Sequence, residues 1–421
     1  MASPISNVRS LDPGRALLDP VRYAREGYPD ALFKRLRDEA PICRVSDPMV
    51  PYWAITRHRD IVGICRNPEL FSNLPHFQIN IDAPFGSADA REPETIIQMD
   101  PPKHRRFREL VSHRFTPRAL QSVEAALDPI ADEVIDALEA EGASGECDFV
   151  ESLATPFPMA VIAWLLEVPR SDWPELFEWT NGVVAPNEPE YQRGEESPHE
   201  TRLRCSKALY DYFGELARER EKGEGDDLVT LLARARIDGE PLPPHILASY
   251  YMLLIVAGNE TTRNAISGGL KAFLENPDRW DELAASPGLA KDAGEECLRW
   301  STPVVQMART ATRDVDLHGE KIRKGDTLAC FYASANRDER VFANPFEFRF
   351  DRRPNPHLSF GIGEHFCVGA HLARIEIRSM LRRLTARFER FEAAGTPERL
   401  QASTTGGWKR IPVHYALKQR T

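Results

Sequence analysis

The run Phe360-Gly361-Ile362-Gly363-Glu364-His365-Phe366-Cys367-Val368-Gly369 sets what the rest of the chain has to build around. A cysteine stands two residues beyond a histidine, inside three glycines. A periodic apolar segment follows at once: Ala370, Leu372, Ala373, Ile375, Ile377, Met380 and Leu381. The spacing predicts a loop that delivers a thiol to the start of a helix, where free backbone N–H groups and the positive dipole end favour a thiolate. Gly361, Gly363 and Gly369 have no Cβ, so this loop can turn tightly and press against something flat and bulky. A thiolate at a helix start against a large planar ligand is what a haem iron with an axial sulfur requires. A lone cysteine in a glycine loop is more often a buried structural residue. The rest of the chain has to decide between the two.

The 421 residues contain no Gly/Ser linker, low-complexity tract or internal repeat, so one large domain over 1–421 is expected, with a short flexible N-terminus over about 1–15. A net charge of −10 argues against a nucleic-acid binder, which would carry a basic stripe. The seven cysteines are scattered, with no pair spaced for zinc or for a redox motif, which points to a reducing cytoplasm. The N-terminal residues show no apolar run long enough to cross a bilayer.

Periodicity makes the chain mainly α with a small β region. A helix is expected over 28–40 and a strand over 52–56, followed by an apolar loop with Phe77, Ile79, Ile81, Phe85 and Gly86. Asp100-Pro101-Pro102 opens a helix with His104 and Arg108 on one face. Several helices fill 124–221, of which 157–166 is apolar on most sides, and 181–199 suits a loop. From about Pro244 a long segment is apolar nearly all round until Gly258-Asn259-Glu260-Thr261-Thr262 interrupts it. Buried charge there needs a reason. The Thr261 hydroxyl can bond the Ala257 carbonyl, bending the helix and opening a groove at Gly258. Glu295, Glu296 and Arg299 lie on a further helix ending near Trp300, and Val304 to Arg309 reads as extended. Strand-like pieces follow at 317–322 and 327–332, and 403–408 looks like a β-turn.

Residues 360–369 match the haem-binding signature of the cytochrome P-450 superfamily, Phe-Gly-x-Gly-x-His-x-Cys-x-Gly, and Ala257 to Thr261 resembles its Ala-Gly-x-acid-Thr motif. The resemblance covers essentially the whole chain and implies a soluble bacterial-type enzyme, with a helix-rich triangular prism enclosing haem b. It implies that Cys367 is the metal ligand, that Phe360, Gly361 and Gly369 form its loop, and that Ala257 and Gly258 border the haem. His104, Arg108, Arg309 and His365 would hold the propionates, and Glu260 with Thr261 would deliver protons. Glu296, Arg299 and Arg352 would clasp the thiolate loop, with Arg353 as the other candidate for the third place. Phe77, Ile79, Val183, Val256, Val304, Val305 and Met307 would line the substrate pocket, with 181–199 as a lid.

The activity implied is reductive activation of O2 and hydroxylation of a C–H bond in a hydrophobic molecule. Segments around Ala257 and Tyr332 are similar to those of bacterial members acting on sterol side chains, branched lipids, alkanes or terpenoids. The chain has no flavin or iron–sulfur signature of its own, so a ferredoxin and its NAD(P)H-dependent reductase are the expected donors. Arg105 and Arg106 would offer that donor a basic patch. Two other readings are a peroxide-driven peroxygenase, against which Glu260 and Thr261 argue, and a haem-thiolate binding protein without turnover. A cysteine hydrolase using Cys367 and His365 lacks any motif for an oxyanion site.

Overall fold

A computed structural model describes residues 13–47, 50–79, 95–222, 225 and 227–419. Ile81, Phe85 and Gly86 of the apolar loop lie outside the described residues, as do residues 1–12.

The organising element is the helix Pro244–Glu275. Proline at its first position supplies the helical φ and no surplus N–H. Because the sequence is apolar nearly all round, every side of this helix can accept a neighbour. The helices Pro156–Leu165, Trp173–Val184, Pro198–Arg220, Ala290–Ser301 and Ala370–Arg387 pack against it. Its polar cluster does not break it; the helix runs on through Glu260 and Thr261. Two glycines set the closest approach. A Cβ at Gly268 would overlap the Ser301 hydroxyl, and one at Gly269 would lie 2.6 Å from the Cys297 sulfur. Each glycine costs about 1 kcal/mol of helix propensity relative to alanine, offset here by intimate packing.

The helix Gln121–Glu139 buries Val123, Leu127, Ala131, Ile135 and Leu138 on one stripe. Its acidic edge runs parallel to the arginines of Ala370–Arg387. Arg378 meets Glu124, Arg382 meets Asp128, Arg383 meets Asp132, and Arg387 meets both Asp136 and Glu139. Single exposed pairs contribute little. As a ladder they fix the position of the helix that begins just after Cys367.

A five-stranded sheet takes the order Ile42–Val45, Tyr52–Ile55, Thr327–Phe331, Gln306–Ala311, Phe71–Ser72, and only the Tyr52–Ile55/Thr327–Phe331 pair is parallel. Its register sets Arg309 opposite Leu328. A second sheet joins Phe388–Ala393, Pro412–Leu417 and Ser144–Asp148. The mainly α architecture with a small β region is therefore present.

One boundary differs from expectation. Residues 181–184 are not loop, because the helix Trp173–Val184 continues through them and buries Leu176, Thr180, Asn181 and Gly182. The connection begins at Ala185, makes one turn at Pro189–Tyr191, and ends at a capping box. There the Glu200 N–H donates to the Ser197 hydroxyl and the Ser197 N–H donates to the Glu200 carboxylate, starting Pro198–Arg220. Among the described residues, no helix is long and apolar enough to cross a membrane.

Candidate active site

Cys367 stands at the end of a loop whose backbone doubles back on itself. Its N–H donates to the Phe360 carbonyl at 2.9 Å, and its carbonyl accepts from Ala370 N, the first residue of Ala370–Arg387. The turn needs left-handed backbone at Gly361 (φ 67°) and Gly363 (φ 82°). At Gly363 a Cβ would overlap the Cys65 carbonyl, so this glycine faces protein backbone and not a flat ligand. Gly369 has ordinary φ, and a Cβ there would meet only the Cys367 sulfur, at 3.9 Å. Phe360 packs beside the loop, with the Arg374 guanidinium 4.5 Å from its ring centre and Phe366 at 6.2 Å. Cys367 is accessible, yet protein crowds the sulfur enough for desolvation to push its pKa up. The Gly369 N–H, Arg108 and Arg374 oppose that rise.

Four nitrogen-bearing side chains gather nearby. His104 and Arg108 come from the helix Lys103–Ser112, Arg309 from the strand Gln306–Ala311, and His365 from the cysteine loop. The His104 and His365 rings lie 4.0 Å apart. Burial, then His104, Arg309 and Arg108, hold His365 down to about 2, so it is neutral. Burial and Arg108 lower His104 as well. Arg108 donates to the Phe366 carbonyl at 2.6 Å and Arg309 to the Ala308 carbonyl at 2.7 Å. His104 Nδ1 and His365 Nε2 are buried with no partner among the described residues. Buried polar atoms are normally bonded, so this cluster suits a ligand that brings anionic oxygens. A haem placed against Cys367 would bring two carboxylates, and the residues present fit it.

A family model for cytochrome P-450 matches residues 289–416. The chain is similar to a methyl-branched lipid omega-hydroxylase of Mycobacterium tuberculosis, 37% identical over 415 residues, covering 95% of this chain and 92% of that one. It is also similar to a steroid C26-monooxygenase of the same species, 38% identical, with 96% and 94% covered. The chain belongs to the cytochrome P-450 family. Among solved structures, a Mycobacterium marinum cytochrome P-450 in complex with pseudoionone is similar at a TM-score of 0.86 and 32% identity, with 98% of this chain and 99% of that one covered. As a member of this family the chain is a haem-thiolate monooxygenase.

On the central helix, the Thr261 hydroxyl donates to the Ala257 carbonyl at 2.8 Å, and both residues keep accessible surface. Gly258 also has a packing role. A Cβ there would sit 3.1 Å from Ile162, so this glycine serves the approach of Pro156–Leu165. Glu260 is turned away into protein: its carboxylate accepts from Arg263 Nη2 at 2.6 Å. Arg263 Nη1 donates in turn to Asn181 Oδ1 at 3.0 Å. Sequence reasoning missed both partners. Arg263 stands three residues after Glu260, a legible signal, whereas nothing local marks Asn181.

The pocket residues divide. Phe77, Val183, Val256, Val304 and Met307 are half-buried. Ile79 and Val305 are fully buried in one cluster with Leu17, Phe33 and Phe331, so neither lines an open pocket. Successive residues of an extended segment point to opposite faces, so Val304 and Val305 cannot share one. Gln306 holds Ile79 in place, its Nε2 donating to the Ile79 carbonyl at 2.8 Å. The 403–408 turn lies beside Val304, which bridges Thr405.

The clasp is assembled around buried Glu296. Arg299 donates to it from Nε and Nη2 at 2.8 and 2.7 Å, and Arg352 from Nε at 3.1 Å. Arg299 Nη1 also donates to the Asn336 and Pro345 carbonyls, both at 2.9 Å. Arg352 thus fills the third place, while Arg353 pairs with Asp292. Arg105 and Arg106 are each matched by an acid, Glu364 and Asp238, so that face is less basic than its arginines suggest.

A second tie joins Glu295 to His357 and to Arg374 of the helix after Cys367. Burial alone would raise Glu295, but hydrogen bonds from His357 and Arg374 outweigh it and hold the carboxyl down to about 2. The unfolded value is near 4.5. The contribution is therefore complete above that pH and lost as pH falls toward about 2, on the order of 3 kcal/mol in all. Glu295→Gln is expected to lower neutral-pH stability by about that much and to flatten the acid limb. Denaturant titrations across this pH window check both, and a variant with the parent's acid limb would contradict the assignment.

Proposed function

We propose that Cys367 is the axial ligand of haem b and that the chain hydroxylates a C–H bond of a lipid- or sterol-like molecule. The observation that carries this is the thiol at a helix start beside the unpartnered His104 and His365 nitrogens. When bound, the haem supplies reductive activation of dioxygen and insertion of one oxygen atom. The chain's own residues do the rest. Arg108, Arg309, His104 and His365 bind the propionates, and Phe360 and the glycine turn hold the sulfur. Glu296, Arg299 and Arg352 keep that loop in place.

Thr261 is anchored through its proton to the Ala257 carbonyl, which leaves its oxygen to accept a hydrogen bond on the accessible side of the helix. Glu260 is the acid that supplies protons to that side. Phe77, Val183, Val256, Val304 and Met307 offer apolar surface to the substrate. The two Mycobacterium tuberculosis relatives, named for a methyl-branched lipid and a steroid, support long apolar substrates oxidised at a chain end. Electrons come from a ferredoxin and an NAD(P)H-dependent reductase, and the protein works as one domain over 1–421 in the cytoplasm.

Titrating the haem-loaded protein with branched fatty acids and sterols, and following the spin-state change and then the products, tests the substrate class. Thr261→Ala is expected to bind substrate within about twofold of the parent while diverting most of the consumed oxygen to peroxide, because proton delivery fails and not binding. Coupling equal to the parent's would remove Thr261 from this role.

A further inference from the structure

Five non-glycine residues among the described ones have a positive φ: Glu167, Asp238, Thr302, His318 and Asn344. Four of them are exposed; Thr302 is buried, at 1% exposure, and is the β-branched one. It closes the helix Ala290–Ser301 at φ 42° and ψ 68°. Glycine is the usual residue for such a helix end, because a side chain there is strained. A threonine kept in that conformation inside the protein has to be fixed by its surroundings, and such residues gather at functional places.

The surroundings of Thr302 do fix it. Its N–H donates to the Leu298 carbonyl at 2.9 Å, and the Tyr28 hydroxyl donates to its carbonyl at 3.1 Å. Its hydroxyl donates to the Arg299 carbonyl at 2.8 Å and accepts from Asn336 Nδ2 at 2.9 Å. Asn336 is fully buried, and its Nδ2 donates also to the Ser359 hydroxyl at 3.0 Å. That hydroxyl gives its own proton to the Leu298 carbonyl at 2.7 Å. Asn336 Oδ1 accepts from the Leu358 N–H at 2.7 Å. Only this orientation of the amide works. Flipped, its nitrogen would face an N–H, and its oxygen would face two hydroxyls whose protons are already spent.

The two ends of this chain of bonds serve different parts of the site. Two residues beyond Thr302 stands Val304, in a segment tied to the C-terminal turn. There Gly406 N–H donates to the Pro303 carbonyl at 2.9 Å and Val305 N–H to the Thr404 carbonyl at 3.0 Å. At the other end, Ser359 precedes Phe360, whose carbonyl holds the Cys367 N–H. We propose that Thr302 and Asn336 are positioning residues for the thiolate: the strained threonine presents the hydroxyl by which the Asn336 amide fixes the Cys367 loop against the pocket wall. The clasp around Glu296 holds the segment before the loop to a helix. The amide adds a fixed spacing between the loop and the segment that carries Val304. This rests on the reading of Cys367 as the haem ligand.

The test follows thiolate ligation and helix content through one urea titration of the haem-loaded protein. The red-shifted Soret band under carbon monoxide reads the first, and far-ultraviolet circular dichroism the second. Thr302→Val keeps the branched shape and deletes the hydroxyl. It is expected to lose the band at lower urea than its helices, and to lose it about tenfold faster than the parent in dilute urea, as for one buried hydrogen bond. Thr302→Gly relieves the backbone but lacks the hydroxyl, and should lose the band as fast as Thr302→Val. Thr302→Ser restores the bond and is expected within about twofold of the parent. Ser359→Ala removes the other hydroxyl that the amide holds, so combined with Thr302→Val it should cost less than the product of the two separate effects. Band and dichroism moving together in Thr302→Val, the parent's rate in Thr302→Gly, or a fully multiplicative double variant would overturn the proposal and leave Cys367 as the ligand. A parent without the band would overturn the ligand reading and the proposal with it.

Discussion

Cys367→Ser is expected to fold and to hydroxylate at least about a thousandfold more slowly than the parent, a loss of about 4 kcal/mol at 1.36 kcal/mol per decade. Serine preserves the loop, because the bond from residue 367 N–H to the Phe360 carbonyl and the glycine turns do not involve the sulfur. What disappears is a polarisable thiolate that donates electron density toward O–O cleavage. An alcohol is far less acidic than a thiol, so the Gly369 N–H and Arg108 cannot hold it as an anion. Product formation per bound haem checks this, with circular dichroism to verify the fold. A serine variant of parental rate would remove Cys367 from the chemistry.

Arg299→Leu is expected to cost about 3–5 kcal/mol, the range for breaking a buried pair by deleting one partner. Against a usual total of about 5–15 kcal/mol, that loss threatens the fold. Glu296 would stay buried with only Arg352, Asn355 and the Arg349 N–H around it, and the Asn336 and Pro345 carbonyls would lose their donor. Those carbonyls belong to the segment leading into the cysteine loop, so haem retention should fall along with stability. Arg352→Leu removes one bond to Glu296 and three to carbonyls nearer the surface, and is expected to cost less. Chemical denaturation of the three proteins gives the ranking, and an Arg299→Leu protein as stable as the parent would contradict the account of the clasp.

The parts of the site that were legible in the sequence are those made by near neighbours along the chain. The Cys367 loop and its helix start are one continuous stretch. The Thr261 to Ala257 bond spans one helical turn, and the Glu296–Arg299 pair spans three residues. Features decided by distant packing were not legible. Gly363 was read as pressing on a ligand, but it presses on Cys65, almost three hundred residues earlier in the chain. That Gly258 admits Ile162 is likewise set by another helix. Ile79 and Val305 are apolar as expected of pocket residues, yet the sheet and the N-terminal helices seal them into core. The choice between Arg352 and Arg353 turned on which side chain reaches Glu296 and which reaches Asp292. Arg263 stands at i+3 from Glu260, a signal carried by the local sequence. Its bond to Asn181, from another helix, is purely tertiary.

The central claim is that the Cys367 sulfur is the ligand of the haem iron. The most direct measurement is the absorption spectrum of the dithionite-reduced protein under carbon monoxide, taken beside that of Cys367→Ser. The account predicts a strongly red-shifted Soret band in the parent and its disappearance in the variant. A well-folded, haem-loaded parent without that band, or a variant that keeps it, would contradict it.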